Sequence, residues 1–153
     1  MSNLSIRLIA LFGCGLILTS FTLKPFCKKQ GIRGKVYWVA GNQMPSPDAP
    51  PPAPKPMKTT LYIFELTNRQ QAKSMDGGPF YSSLPTKLIR EVQSNAEGQF
   101  KVKLPPGEYS VFTKKGELFY ANTFDQFNNI APVKVLAGQF ASLEVRVDYD
   151  AAY

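Results

Sequence analysis

The stretch NAEGQFKVKLPPGEYSVFT, residues 95–113, decides the fold class. Within it, Phe100, Val102 and Leu104 alternate with polar or charged residues, which is the pattern of a half-buried β-strand. A polar turn ending in glycine precedes this strand. A Pro-Pro-Gly corner follows it, and an extended segment with alternating apolar residues begins at Tyr109. We therefore predict two adjacent strands joined by the Pro-Gly corner.

The rest of the chain beyond residue 30 has the same short-strand character. Its apolar runs are separated by turns that contain most of the 13 prolines and 11 glycines, and no long stretch has a helical period. Strands are predicted at 32–39, 59–67, 86–93, 99–104, 108–113, 118–121, 132–136 and 141–149. The last two are expected to close the chain as a hairpin. Seven or eight strands without a helix predict an all-β sandwich.

The strand phases predict which residues face inward. In the first strand, Lys35 and Val39 are expected on the outward face. In the last strand, Asp148 is expected outward together with Glu144, on a solvated face. The run at 59–67 is apolar at successive positions and shows no alternation, so it is predicted to be covered on both faces.

Two long connections are predicted at 41–58 and 68–85. The first contains the proline-rich loop 45–56, in which seven of twelve residues are proline. Proline at this density favours extended polyproline II over sheet pairing, so we interpret the loop as a semi-rigid spacer, with a partner-docking segment as the alternative. The second connection is polar and contains a glycine pair, which predicts a surface loop suited to binding.

The N-terminus has the layout of a secretory signal peptide. Arg7 is the only charged residue before an apolar run that ends at Leu23, which predicts a signal at 1–22, with an uncleaved membrane anchor as the alternative. The chain is then expected to be exported to the periplasm or the outside of the cell. Cys14 lies within the apolar run and is interpreted as an apolar residue of the signal. Cys27 would then be alone, either free or joined to another chain.

Charge is unevenly distributed near the start of the expected mature chain. Removal of residues 1–22 takes away one of the 18 basic residues and none of the 11 acidic ones. Residues 23–30 are predicted to be a basic tether, followed by the sandwich domain at 31–150. The cluster at Lys24, Lys28, Lys29, Arg33 and Lys35 is interpreted as a solvated tether, with docking to an anionic membrane or acidic polymer as the alternative.

Three motifs resemble a known family. The segment GIRGKV at 31–36 is similar to the opening strand of the carboxypeptidase regulatory-like domains, and NAEGQF at 95–100 with LPPGEY at 104–109 is similar to their central hairpin. The resemblance covers residues 31 to about 149. It implies a transthyretin-like or prealbumin-like Greek-key sandwich that serves as an accessory, adhesive or receptor-plug module in exported proteins, here of the Bacteroidetes type. The connection 41–58 departs from the family's short one.

The chain contains no histidine, which excludes Ser-His-Asp hydrolysis, Cys-His catalysis and histidine-based zinc sites. No Cys-x-x-Cys pair or phosphate-binding glycine loop is present, so neither an enzyme nor a cofactor or metal is expected. Glu97 and Glu108 lie in predicted turns and specify no cleft. Calcium at Asn95 and Glu97, or around Asp148 and Asp150, would need further oxygen ligands. A covalent bond between Lys35 and Asp148 would need a buried lysine.

The predicted function is a non-enzymatic binding or assembly module of the cell envelope. Its expected partner is an envelope protein, with a membrane only if the N-terminal segment is retained, and nucleic acid is not expected. No binding residue is assigned. The alternative is a carbohydrate-binding module, because aromatic faces stack on sugar rings. Six aromatic residues near predicted loops are candidates for that role: Phe80, Tyr81, Phe119, Tyr120, Phe124 and Phe127.

Overall fold

The computed structural model of the chain describes residues 29–45, 47 and 49–153. The predicted signal at 1–22 and most of the predicted tether, including both cysteines, lie outside these residues. The described residues form eleven strands and contain no helix, so no helix among them could cross a membrane. The strands are β1 Gly31–Asn42, β2 Lys55–Pro56, β3 Thr60–Glu65, β4 Lys73–Ser74, β5 Phe80–Ser83, β6 Leu88–Gln93, β7 Gln99–Lys103, β8 Gly107–Lys115, β9 Leu118–Tyr120, β10 Pro132–Val135 and β11 Phe140–Ala152.

The strands form two sheets that pack face to face. In the four-stranded sheet, β11 runs parallel to β1, and β7 and β2 pair with β1. The seven-stranded sheet has the order β4-β5-β9-β8-β3-β6, with β10 also paired to β8. A core drawn from both sheets lies between them, including Ile32 and Val36 of β1 and Leu61 and Ile63 of β3. The predicted all-β sandwich is confirmed.

The outer face of the seven-stranded sheet is covered by a second apolar cluster. Phe64, Phe112 and Ile130 are buried there. The connection after β3 and the connection after β9 meet above them, where the amide of Ile130 donates to the carbonyl of Thr67 at 2.8 Å. Strand β3 therefore has Leu61 in the main core and Phe64 in the second cluster. The prediction that this run is covered on both faces is confirmed.

Both hairpin predictions are wrong. The half-buried β7 forms as expected, but it pairs with β1, whereas β8 after the Pro-Pro-Gly corner pairs with β3, β9 and β10. The corner thus carries the chain from one sheet to the other. In the same way, β10 pairs with β8 and β11 with β1. Alternation shows which residues of a strand are buried, but the pairing partner depends on contacts distant in sequence.

Two predicted orientations are wrong where β1 and β11 pair around a β-bulge. Trp38 pairs with Val147 and Ala40 pairs with Asp150, so β11 has one extra residue at this point. A bulge bends the strand and re-aims its side chains. Asp148, which lies in the bulge, is half-buried instead of lying on a solvated face. Val39, opposite the bulge on β1, is buried, so its predicted outward orientation is wrong as well. Lys35, before the bulge, is exposed as predicted.

The two predicted long connections contain strands as well. Lys55–Pro56 pairs with Tyr37 and Trp38 at the edge of the four-stranded sheet, so the proline-rich segment does enter a sheet. An edge position accepts a proline because its missing N–H need not reach another strand. The connection 68–85 includes β4 and β5, and Tyr81 within it is fully buried. Its prediction as a polar surface loop is therefore wrong for this part.

Candidate functional site

The outer face of the four-stranded sheet carries a group of exposed cations. Arg33 of β1 lies opposite Lys101 of β7, and Arg146 of β11 pairs with a β1 residue on the same face. Residues directly opposite each other on neighbouring strands have their side chains on one face. With Lys35 and Lys103 of these strands, five cations share this face with one carboxylate, Glu144. We call Arg33, Lys35, Lys101, Lys103 and Arg146 the basic face.

A cleft of about 780 Å³ adjoins the basic face. Four cations and no carboxylate line it, and the cations are Arg33, Lys35, Lys58 and Lys101. Gly34, two apolar residues and several hydrogen-bonding side chains complete the lining: Gly34, Val92, Gln93, Ser94, Asn95, Gln99, Phe100 and Ser142. The combination suits a ligand that has both negative charge and hydroxyl groups.

Two local anchors hold the cleft residues in place. The buried Ser94 hydroxyl accepts from the amide of Thr59 and donates to the carbonyl of Met57, both at 2.9 Å. This fixes the segment that carries Lys58. The Asn95 side-chain oxygen accepts from the amide of Gln99 at 2.7 Å and closes the turn between β6 and β7. These side-chain hydrogen bonds therefore hold the segment before β3 and the turn between β6 and β7 in place beside the cleft.

The positive charge of the basic face is not neutralised by ion pairs in the described part of the chain. The two salt bridges found there, Lys115–Asp150 and Lys134–Glu108, use other residues. The Lys101 ammonium lies 4.5 Å from the ring centroid of Phe140, where a cation–π contact holds it over β11 without cancelling its charge. Grouped cations of this kind raise the local concentration of anions.

The six aromatic candidates for sugar binding fall into two groups. Tyr81 and Tyr120 are buried, and Phe80 and Phe119 are half-buried in aromatic contacts. Only Phe124 and Phe127 are exposed, with 39% and 67% of their surface accessible. The first four rings are therefore engaged in packing: Phe80 lies against Tyr120 and Tyr149, and Phe119 lies against Phe64 and Phe112.

Phe124 and Phe127 lie in the connection between β9 and β10, which Asp125 organises. One Asp125 carboxylate oxygen accepts from the amides of Phe127 and Asn129 at 2.8 and 2.9 Å, and the other accepts from the Asn129 side chain at 2.8 Å. The Arg69 guanidinium lies 5.0 Å from the Phe124 ring centroid. The loop thus holds two aromatic rings outward on a defined backbone.

Asp148 lies in a network of side-chain hydrogen bonds. Its carboxylate accepts from the Tyr120 hydroxyl, the Asn122 side chain and, at 2.7 Å, the Tyr153 hydroxyl. Burial, reinforced by the hydrogen bond and charge of Asp148, raises the pKa of Tyr120 above its ordinary value. These contacts fasten the end of β11 to β9.

The residues considered from the sequence for a cross-link or a metal site are not brought together. Lys35 pairs with Glu144 across β1 and β11 and not with Asp148, so the geometry of a lysine–aspartate cross-link is lacking. Within the described residues, no three of the His, Cys, Asp and Glu side chains form a group that could hold a metal ion. The Asn95 side-chain oxygen considered for calcium is engaged with its own turn.

Sequence reasoning missed Lys58, Lys101, Lys103 and Arg146 as members of one surface. Each strand's alternation identified its outward residues, but not that β7 and β11 both lie beside β1. Comparisons with protein-family models, with curated proteins and with solved structures find no match. The resemblance to carboxypeptidase regulatory-like domains therefore stays a prediction.

Proposed function

We propose that this chain is a non-enzymatic, exported binding module of the cell envelope. The observation that carries the proposal is the basic face, which presents five exposed cations against one carboxylate on a sheet whose backbone is fixed by pairing along β1. Such a surface suits binding, because the backbone is already ordered and only the cationic side chains must lose freedom when a ligand binds.

The environments of the residues that could act as catalysts support a non-catalytic role. The sequence has no histidine to serve as a base. Asp148, which is half-buried, already accepts three hydrogen bonds. Glu108 is paired with Lys134 at the surface. A general acid or base needs a positioned partner and a substrate cleft, and the cleft beside the basic face is lined by cations and neutral groups.

The proposal is tested by sedimentation of the full chain with an envelope fraction of the host. We expect the wild-type protein to sediment with the envelope, and Arg33→Gln/Lys101→Gln to stay largely in the supernatant. The matched control is Lys73→Gln/Lys87→Gln, which removes the same charge from exposed positions on the seven-stranded sheet side. Wild-type protein that remains in the supernatant would show that the chain is not an envelope-binding module.

A second candidate function, recognition of uncharged carbohydrate, is favoured by the exposed ring of Phe127. A hollow of about 250 Å³ lies beside it and is also lined by Asp125 and Asn129. An aromatic face next to polar groups suits a sugar ring. A glycan array tests this, with Phe127→Ala compared with Leu136→Ala, which removes another exposed apolar side chain. An array without hits, or equal binding by both variants, would remove this candidate.

A further inference from the structure

We propose that the basic face and the adjoining cleft bind a linear acidic polysaccharide, a sugar chain that carries carboxylates at regular intervals. This inference rests on the proposed function and specifies its ligand. The cations form a two-dimensional grid: neighbouring strands place them about 5 Å apart, and alternate residues of one strand about 7 Å apart. Arg33 and Lys101 are neighbours across strands, whereas Lys101 and Lys103 are neighbours along β7. A polymer with repeated carboxylates can contact several of these at once.

The lining of the cleft favours a sugar chain over a simple inorganic anion. Gln93, Gln99 and Ser142 contribute amides and a hydroxyl next to the four cations. Amides and hydroxyls both donate and accept hydrogen bonds, so they match sugar hydroxyl groups. The cations match the carboxylates, since charge-assisted hydrogen bonds from lysine and arginine are stronger than neutral ones.

The same surface is poorly suited to a lipid bilayer. Membrane-surface binding combines basic residues with apolar side chains that enter the headgroup region. None of the exposed large apolar side chains found among the described residues belongs to the basic face or lines the cleft; they are Met44, Met75, Leu88, Phe124, Phe127, Leu136 and Tyr153.

Several weak contacts must act together on such a surface. An exposed ion pair contributes only about 0.2–1 kcal/mol, so no single cation of the basic face would hold a ligand. A polymer that engages several cations gains from their proximity, because each later contact forms at high effective concentration. We therefore expect affinity to depend on polymer length as well as on charge.

The test measures binding of the full chain to sodium polygalacturonate by isothermal titration calorimetry, with the fully methyl-esterified polymer as the uncharged control. We expect binding to the charged polymer only, with affinity that falls as salt screens the charges. Arg33→Gln/Lys101→Gln should weaken this binding by more than about twofold and by up to about 30-fold, the effect of losing two exposed ion pairs at about 0.2–1 kcal/mol each. Lys73→Gln/Lys87→Gln should change the affinity for the polymer by no more than about twofold. Many exposed charges contribute nothing measurable to an interaction, and these two lie away from the basic face.

Three outcomes would overturn the inference. The first is equal binding of the esterified polymer, because the charges would then not be recognised. The second is tighter binding to phosphatidylglycerol vesicles or single-stranded DNA than to the polymer. The third is an equal loss in both double variants. A protein that sediments with the envelope but does not bind polygalacturonate would refute this inference and leave the proposed function standing, whereas failure in both assays would refute both.

Discussion

Gly34→Ala is expected to separate the two strands that build the basic face. A Cβ atom at Gly34 would overlap the carbonyl oxygen of Leu143 and lie 2.7 Å from its carbonyl carbon. Both atoms belong to the β11 backbone, so no side-chain rotation relieves the overlap, and the strands must move apart. We expect a net loss of two or three hydrogen bonds between β1 and β11, at about 1 kcal/mol each. With looser packing around Val36, the free energy of unfolding should fall by about 3 kcal/mol.

The assay is urea denaturation followed by fluorescence of Trp38, the single tryptophan. This residue lies on β1 and packs edge to face against Tyr149 of β11, with ring centroids 5.0 Å apart, so its emission reports on the strand pair. The control is Gly78→Ala, because its nearest neighbour would be 3.4 Å from the new Cβ and a change of about 0.5 kcal/mol or less is expected. Similar losses of stability in both variants would show that the close approach of β1 and β11 at Gly34 is not the cause.

Three further predictions concern buried polar groups. Tyr81→Phe should leave the free energy of unfolding unchanged or raise it by about 1 kcal/mol, since the buried hydroxyl has no hydrogen-bond partner among the described residues; a clear loss of stability in a thermal melt would contradict this. Ser94→Ala should lower it by about 1–2 kcal/mol, because the Thr59 amide loses its acceptor; an unchanged urea midpoint would contradict this. The raised pKa of Tyr120 means that the folded state retains this proton longer, so stability is full below pH 10.0 and falls as pH rises through the folded-state pKa. Tyr120→Phe should flatten that fall in melts at increasing pH, and an unaltered slope would show that other groups cause it.

The strands could be predicted from sequence because their signals are local. All eight predicted strands exist, since alternation along β7 and the last strand depends only on neighbouring residues. The three additional strands are short and arise from tertiary context: β2 and β4 have two residues each, and β5 has four. Tyr81 in β5 shows why, because its burial depends on Phe112 and Phe119 lying against the same cluster.

The pairing partners and the candidate site could not be predicted in the same way. The motif at 95–113 predicted a hairpin, but the Pro-Pro-Gly corner ends β7 without fixing where β8 goes. The position of Asp148 depended on one extra residue in β11 opposite Val39. The sequence did indicate that Arg33 and Lys35 belong to a basic cluster. It could not join them to Lys101, because that contact exists only after β7 pairs with β1.

The difference between the two outer faces explains why one of them is available to a partner. In β3 and β8, apolar residues occupy both faces, and the connections after β3 and β9 bury the outer set, including Phe64 and Phe112. In β7, the outward positions are Gln99, Lys101 and Lys103, which are exposed. Burying such charges would carry a desolvation cost of several kcal/mol per unpaired ion, and no connection in the described part of the chain covers these residues. A ligand that supplies opposite charges would reduce that cost, which is the physical reason for proposing a polyanion as the ligand of this face.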